Sequence, residues 1–277
     1  MRVAATMFGI CLASATAFAQ AVQSDHVSAE LIGEHLALVP GQSTQVGLLL
    51  RHEPHWHTYW TNPGDSGLPT TISWNLPPGF KAQEIEWPLP KRFDVGGLYN
   101  FGYDDELVLP VAIDVPADVK PGAKAHLAAT AKWLVCREEC IPGNASLVLD
   151  LPIVAGPAKP DPRWIKQFAN ARLMQPQATA WKGEAEVKDD RIVITLRGAG
   201  IPPAQGLDAF AAQRKVFDNK PPQIERIGDA LIVSSGKSEY FGTSPATLDL
   251  WIAAPAAAGQ RGWRVRIPFA DAAAPAP

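Results

Sequence analysis

The stretch WLVCREECIPG at residues 133–143 holds Cys136 and Cys140, two of the three cysteines in this 277-residue chain. Apolar runs at residues 126–135 and 145–154 flank the pair and are typical of β-strands. A fully extended chain would put the two Cα atoms about 13 Å apart, at ~3.3 Å per residue. A disulfide needs about 4.4–6.8 Å between them. The three intervening residues, Arg-Glu-Glu, must therefore turn if the pair is to close.

The N-terminal segment predicts export. Residues 1–19 carry Arg2, then an uncharged apolar run that includes the third cysteine, Cys11, and the small-residue cleavage motif Ala17-Phe18-Ala19. The run is too short and too rich in small residues for a membrane anchor, and no later run approaches 18 apolar residues. We therefore expect no transmembrane segment in the mature chain. Removing Arg2 moves the net charge from -3 to -4, which gives no support to nucleic-acid binding.

The first part of the chain is predicted to be all-β. Short runs rich in Val, Ile, Leu, Trp and Thr are separated by clusters of Gly, Pro, Asp and Asn, a spacing typical of a β-sandwich. The predicted strands cover residues 45–51, 70–74, 82–87, 107–115, 126–135 and 145–154. The five tryptophans at 56, 60, 74, 87 and 133 are interpreted as core of this sandwich.

A linker and a second β-rich part follow. The Pro-rich stretch 156–162 ends in Asp161-Pro162, which predicts an N-cap and first turn for a helix over residues 163–173. Strand patterns resume near residue 178, with a hairpin expected around Lys188-Asp189-Asp190. The sequence thus predicts a signal peptide at 1–19, a first domain at 25–155, a linker at 156–177, a second domain at 178–269 and a disordered tail at 270–277.

The cysteine pair has two alternatives to a redox role. A structural staple across ~5 residues stabilises by only about 2 kcal/mol, against ~4–5 kcal/mol for a loop of 100 residues. A disulfide that closes so short a loop contributes little to the stability of a domain of this size. A soft copper site is the second alternative, with His55 and His57 as ligands beside the thiolates, because alternation on a strand would put both on one face. Packing and hydrogen bonding is the favoured role for these two histidines.

Several ordered motifs carry a family resemblance across residues 45–153. They are the HWHTYWTNPGDSGLP stretch from residue 55, Arg92-Phe93, Gly96-Gly97-Leu98, Phe101-Gly102-Tyr103, Leu109-Pro110-Val111 and the cysteine stretch itself. This part of the chain resembles the N-terminal periplasmic region of DsbD-type thiol:disulfide interchange proteins. It is most similar to the branch that includes the copper-sensitivity suppressor ScsB. The resemblance is weaker over residues 178–268.

The resemblance implies an immunoglobulin-like β-sandwich, here followed by a second, smaller sandwich-like domain. Cys136 and Cys140 match the family's redox pair, which implies a periplasmic protein-disulfide reductase module. A membrane-embedded thiol reductase would supply electrons, and periplasmic thioredoxin-like proteins would accept them. No cofactor and no metal is implied. The rival functions are a non-catalytic envelope binding module with a structural disulfide and a copper-handling protein.

The resemblance also implies a cap loop that shields the pair. Phe93, Asp94, Gly96 and Gly97 match this loop, and Tyr59 lies near a family aromatic beside the site. The family's transmembrane and C-terminal thioredoxin regions do not follow in this sequence, which implies either a separate membrane protein as donor or a truncated or repurposed relative. The spacing CREEC is shorter than in the best-known DsbD proteins, which leaves open the cysteine that is attacked first.

Overall fold

The structure is a computed structural model that describes residues 20–255 and 261–270. The predicted signal peptide at 1–19 and nearly all of the predicted tail, 271–277, lie outside the described residues. The described residues form nineteen β-strands and one helix, which confirms the all-β fold class.

Eleven strands form the first region, which we define as residues 20–155. They are β1 (Val22–Ser24), β2 (Val27–Gly33), β3 (Ser43–His52), β4 (Thr58–Gly64), β5 (Thr71–Asn75), β6 (Lys81–Ile85), β7 (Lys91–Val95), β8 (Leu98–Tyr103), β9 (Glu106–Asp114), β10 (Lys124–Cys136) and β11 (Cys140–Pro152).

Two sheets of the first region enclose its core. A five-stranded sheet has the order β1-β2-β3-β9-β6, and a three-stranded sheet has the order β11-β10-β5. Strand β10 alternates as expected for a strand with one buried face, because Leu127, Ala129, Ala131, Trp133 and Val135 are buried while the residues between them are more exposed. A small sheet, β4-β8-β7, stands beside them and carries much of the candidate site.

The helix α1 (Ile165–Leu173) covers the second face of the five-stranded sheet. Its Phe168 and Ala171 pack with Ile32, Leu49 and Val108. Ile165, one position after Trp164, does not join this face and is half exposed. The buried stripe runs through residues 164, 168 and 171, and residue 165 lies about 100° around the helix from residue 164.

The predicted helix cap is also corrected. The helix begins at Ile165 with Trp164 as N-cap, and no side chain caps it. Asp161 instead accepts hydrogen bonds from the backbone N–H and the guanidinium of Arg163. These bonds hold the carboxylate three residues before the cap and keep the pKa of Asp161 below its usual value.

Eight strands form the second region, residues 177–270. They are β12 (Gln177–Ala178), β13 (Lys182–Lys188), β14 (Arg191–Arg197), β15 (Asp208–Ala211), β16 (Gln223–Ile227), β17 (Ala230–Gly236), β18 (Thr247–Ala253) and β19 (Gly262–Pro268).

Two four-stranded sheets build the second region, in the orders β12-β19-β18-β15 and β13-β14-β17-β16. Their apolar faces share one buried cluster, which confirms a second sandwich-like fold. The expected hairpin is confirmed, because β13 and β14 pair up to Lys188 opposite Arg191. Asp189 takes a positive φ of 54° in the turn, as two-residue hairpin loops require.

Aromatic side chains join the two regions. The Trp60 and Phe101 rings of the first region contact Phe210 and Trp251 of the second, with ring centroids 4.9 Å apart for Trp60 and Trp251 and 5.1 Å for Phe101 and Phe210. Trp60 and Phe101 are almost fully buried. The predicted domain boundaries stay a prediction, because the core of the first region continues into these residues of the second. Within residues 20–255 and 261–270, no helix has the length and apolar character needed to cross a membrane.

Candidate functional site

The two cysteines close the end of the β10–β11 hairpin with a disulfide. The strands pair without a slip over thirteen positions, from Lys124 opposite Pro152 to Cys136 opposite Cys140. This register brings the two Cα atoms to 4.2 Å. The chain reverses at Arg137-Glu138-Glu139, where the backbone N–H of Arg137 donates to the carbonyl of Glu139. The predicted turn is therefore confirmed.

The two cysteines differ in exposure. Cys136 is 2% exposed, whereas Cys140 is exposed. The cause lies in the pairing, because β11 is the outer strand and Cys136 has a partner on its other side as well. That partner is His57, which exchanges two backbone hydrogen bonds of 3.0 and 2.9 Å with Cys136. Of the two residues, Cys140 is therefore the one with surface exposed to solvent.

Tyr59 reaches the exposed cysteine. Its hydroxyl oxygen lies 3.3 Å from Sγ of Cys140, while the residue itself is fully buried. Burial raises the pKa of Tyr59, so its hydroxyl stays protonated and can donate to sulfur. Gly67 makes room for the ring, because a Cβ at that position would lie 2.3 Å from ring atoms of Tyr59. The sequence prediction placed Tyr59 beside the pair, and the structure brings the two together.

His57 also lies beside the pair, although the sequence favoured packing and hydrogen bonding for it, with copper binding as the alternative. Directly opposed residues of paired strands share a sheet face, so its side chain lies on the same face as that of Cys136. Burial, together with the nearby His52, lowers the pKa of His57 to about 4, so the ring is neutral at pH 7. Its Nε2 atom is buried and has no hydrogen-bond partner among the described residues. The alternation of positions 57 and 59 was the signal that could have placed it.

His55 does not accompany His57. It lies in an exposed turn with a positive φ of 72°, before β4 begins. The expectation that the two histidines share one strand face is therefore wrong, because residue 55 is not in a strand. Among the residues that the structure describes, no three His, Cys, Asp or Glu side chains are grouped as metal ligands.

Strands β7 and β8 form a hairpin, residues 91–103, that we call the cap hairpin. Phe93 on β7 lies flat on His57, with ring centroids 4.5 Å apart and planes at 10°. Asp94 accepts a hydrogen bond of 2.9 Å from the backbone N–H of Gly97. Gly96 and Gly97 take positive φ values of 64° and 87° at the exposed tip. The structure thus brings Phe93 to the site through His57, and it places Asp94, Gly96 and Gly97 in the turn.

The first region matches a known family. Residues 28–152 match the family described as thiol:disulfide interchange protein DsbD, N-terminal. The matched span contains both cysteines, Tyr59, His57 and the whole cap hairpin. No curated protein sequence matches the chain.

A solved structure with the same fold extends the similarity beyond residues 28–152. The N-terminal periplasmic domain of ScsB from Proteus mirabilis is 21% identical, and the match covers 90% of this chain and 97% of that chain with a TM-score of 0.66. The coverage shows that the two folds agree past residue 152, into the second region. This likeness confirms the predicted sandwich fold.

Two further matches superpose poorly on this chain. A chimeric titin Z1Z2 is 11% identical over 87% of this chain and 96% of that chain, with a TM-score of 0.20. A protein of unknown function from Porphyromonas gingivalis W83 is 13% identical over 86% and 99%, with a TM-score of 0.22.

Proposed function

From the match of residues 28–152 to the N-terminal domain family of DsbD thiol:disulfide interchange proteins, we propose that the chain relays electrons in the periplasm. In this proposal a membrane-embedded thiol reductase reduces the Cys136–Cys140 disulfide. The reduced pair then passes the electrons to periplasmic thioredoxin-like proteins. No bound cofactor takes part, because sulfur atoms carry both the covalent bond and the electrons.

One observation carries the proposal, namely a disulfide with one buried and one exposed cysteine at the end of a hairpin. A staple at this position constrains only ~5 residues and contributes about 2 kcal/mol. The asymmetry suits thiol exchange, since a partner can reach one sulfur while the other leaves. Tyr59 adds a hydrogen-bond donor 3.3 Å from the exposed sulfur.

The difference in exposure supports an order of steps that begins at Cys140. A donor thiolate attacks Sγ of Cys140, the Cys136–Cys140 bond breaks, and Sγ of Cys136 leaves as a thiolate. A second donor thiolate then attacks the donor sulfur of this mixed disulfide. Cys140 is released as a thiolate, and the donor is left oxidised with a disulfide. The two protein thiolates take up protons from water, and the reverse sequence reduces an acceptor disulfide through Cys140.

The cap hairpin supplies the gate in this proposal. From its stacked position on His57, Phe93 would shield the disulfide, and the glycines at the tip give the turn its backbone freedom. Nothing in the surrounding structure lies within 4 Å of a Cβ built at Gly96 or Gly97, so the tip has space to move. A docked protein partner would displace the hairpin, whereas a small thiol would meet it closed.

The remaining parts of the proposal concern location and organisation. Residues 1–19 would direct export as a signal peptide, and residues 156–177 would link two domains, 25–155 and 178–269. The separate hydrophobic cluster of the second region supports this division. Copper handling stays the rival function, with the two thiolates of the reduced pair as soft ligands.

A redox titration tests the function. The protein is equilibrated with glutathione buffers, and the ratio of disulfide to dithiol is read by thiol alkylation. An exchange module should have a potential above roughly -300 mV, within reach of thioredoxin-like partners. A potential well below that value would assign the disulfide to the structural staple instead. Titrating the reduced protein with Cu(I) in the same series tests the copper rival.

A further inference from the structure

Arg92 directly precedes Phe93 on β7, and the two side chains face opposite ways. Successive side chains of a strand point to opposite faces, so Phe93 lies on His57 while Arg92 turns toward the second region. The Arg92 side chain is 8% exposed. Its guanidinium stacks over the rings of Phe101 and Phe210, 4.7 and 5.0 Å from their centroids. One strand of the cap hairpin is thus in contact with the redox site on one face and with the second region on the other.

Arg92 makes its hydrogen bonds to the second region. Its Nε and Nη2 atoms donate to the two carboxylate oxygens of Asp208, at 3.0 and 2.6 Å. Nη2 also donates to the carbonyl of Ala209 at 3.0 Å, and Nη1 donates to the carbonyl of Asn219. A paired fork of this kind fixes both position and orientation.

Asn219 also holds the second strand of the cap hairpin, β8. The amide of Asn219 donates to Oδ1 of Asp65 at 2.8 Å. The other oxygen of Asp65 accepts a 2.7 Å hydrogen bond from the backbone N–H of Tyr99 on β8. Asn219 therefore contacts β7 through its carbonyl and β8 through Asp65, although it lies more than a hundred residues away in sequence.

We propose that the second region is a clamp that sets how readily the cap hairpin opens, with Arg92, Asp208 and Asn219 as its positioning residues. The inference rests on the proposed function, because it gives the cap a controlling element. The tip of the hairpin is exposed and has open space around its glycines. Its resting position therefore depends on how its two strands are held, and the clamp holds both.

Removing the clamp should increase access to the disulfide. Asp208→Asn keeps the side-chain shape and the oxygen that accepts from the N–H of Ala209, but it removes the charge opposite a buried guanidinium. Asn219→Gly removes the bond to Asp65 and retains the carbonyl for Arg92, and glycine tolerates the φ of 60° found there. Asp161→Asn is the matched control, because it breaks an Arg–carboxylate pair whose partner is Arg163.

The experiment measures the second-order rate at which dithiothreitol reduces the disulfide, in wild type and in a double-mutant cycle with Phe93→Ala. The observed rate scales with the open fraction of molecules, so Asp208→Asn should raise it by about threefold or more in the wild-type background. In the Phe93→Ala background the same change should have almost no effect, because the ring that the clamp positions is already absent. Thermal unfolding of each variant verifies that it is folded.

Two results would overturn the clamp. One is a wild-type rate for both Asp208→Asn and Asn219→Gly in proteins that unfold cooperatively. The other is an equal acceleration in both backgrounds, which would show that the second region acts elsewhere than through the cap. Either result leaves the proposed function standing, because it is decided by the redox potential and by exchange with a protein partner. A wild-type rate in the Phe93→Ala protein would instead show that the hairpin is not a cap.

Discussion

Phe93 lies flat on His57, with their ring centroids 4.5 Å apart, and the backbone of His57 pairs with that of Cys136. The ring of the cap hairpin is therefore seated on a residue that is itself fixed to the buried half of the disulfide. Because His57 is neutral at pH 7, the contact is between two uncharged rings, which can separate without exposing a bare charge.

Replacing Phe93 by Ala should raise the rate at which dithiothreitol or glutathione attacks the disulfide. The redox potential should change little, because the ring blocks access and does not strongly favour one redox state. Stopped-flow reduction at several reductant concentrations measures the rate for both proteins. Equal second-order rates would show that the hairpin is not a cap.

Stability should fall with acidification, and His57 should contribute to that fall. The native protein holds His57 neutral down to about pH 4, whereas an unfolded histidine takes up its proton near pH 6.5. Between these values the unfolded state binds more protons, so the stability present above pH ~6.5 is lost as the pH falls toward 4. Between pH ~6.5 and 4, the melting temperature of His57→Phe should therefore fall less than that of wild type.

The matched control for this measurement is His55→Asn. His55 is exposed, and asparagine tolerates its positive φ. This variant should retain the pH dependence of wild type. A His57→Phe protein that destabilises with acid as steeply as wild type would contradict the assignment of His57 as a buried neutral group.

Replacing Tyr59 by Phe should slow thiol exchange by the reduced protein without unfolding it. The hydroxyl can donate to a thiolate at Cys140, and such a charge-assisted bond is worth roughly 1.5–3 kcal/mol. Its loss lowers the thiolate fraction but makes the remaining thiolate more nucleophilic, so a net slowing of about four- to twentyfold is expected at neutral pH. The rate of reaction with Ellman's reagent measures it, and Tyr240→Phe at an exposed site is the control. An unchanged rate would mean that the hydroxyl has no part in exchange.

Removing both cysteines should cost little stability. Cys136→Ala combined with Cys140→Ala opens a loop of only ~5 residues, so the free energy of unfolding should fall by at most about 2 kcal/mol while exchange is abolished. Denaturant titration of the oxidised wild type and the double variant gives the difference. A double variant that no longer folds would favour the staple function.

The sequence predicted what depends on local pattern. The turn at Arg137-Glu138-Glu139 follows from chain geometry, and the hairpin at Asp189-Asp190 follows from turn chemistry. The strand predicted at 107–115 is found at Glu106–Asp114, because its apolar run is bounded by Asp104-Asp105 and Pro116.

Other features depend on contacts that no local pattern contains. The strands of the cap hairpin do not alternate strictly between buried and exposed residues, since the last four residues of β8 are all buried, and periodicity therefore did not indicate them. The Arg92–Asp208 pair joins residues 116 positions apart. His57 looked like a packing residue because its pairing with Cys136 depends on how β4 approaches β10, and only the folded chain shows that approach.

The central claim is that Cys140 is the sulfur through which a thioredoxin-like partner exchanges electrons. It is tested with a thioredoxin-fold protein that lacks its resolving cysteine and carries thionitrobenzoate on its attacking cysteine. The Cys136→Ala protein should displace thionitrobenzoate rapidly and form a stable mixed disulfide through Cys140. The Cys140→Ala protein should react far more slowly, because Cys136 is buried. Comparable rates for the two variants, or a mixed disulfide through Cys136 alone, would contradict the account.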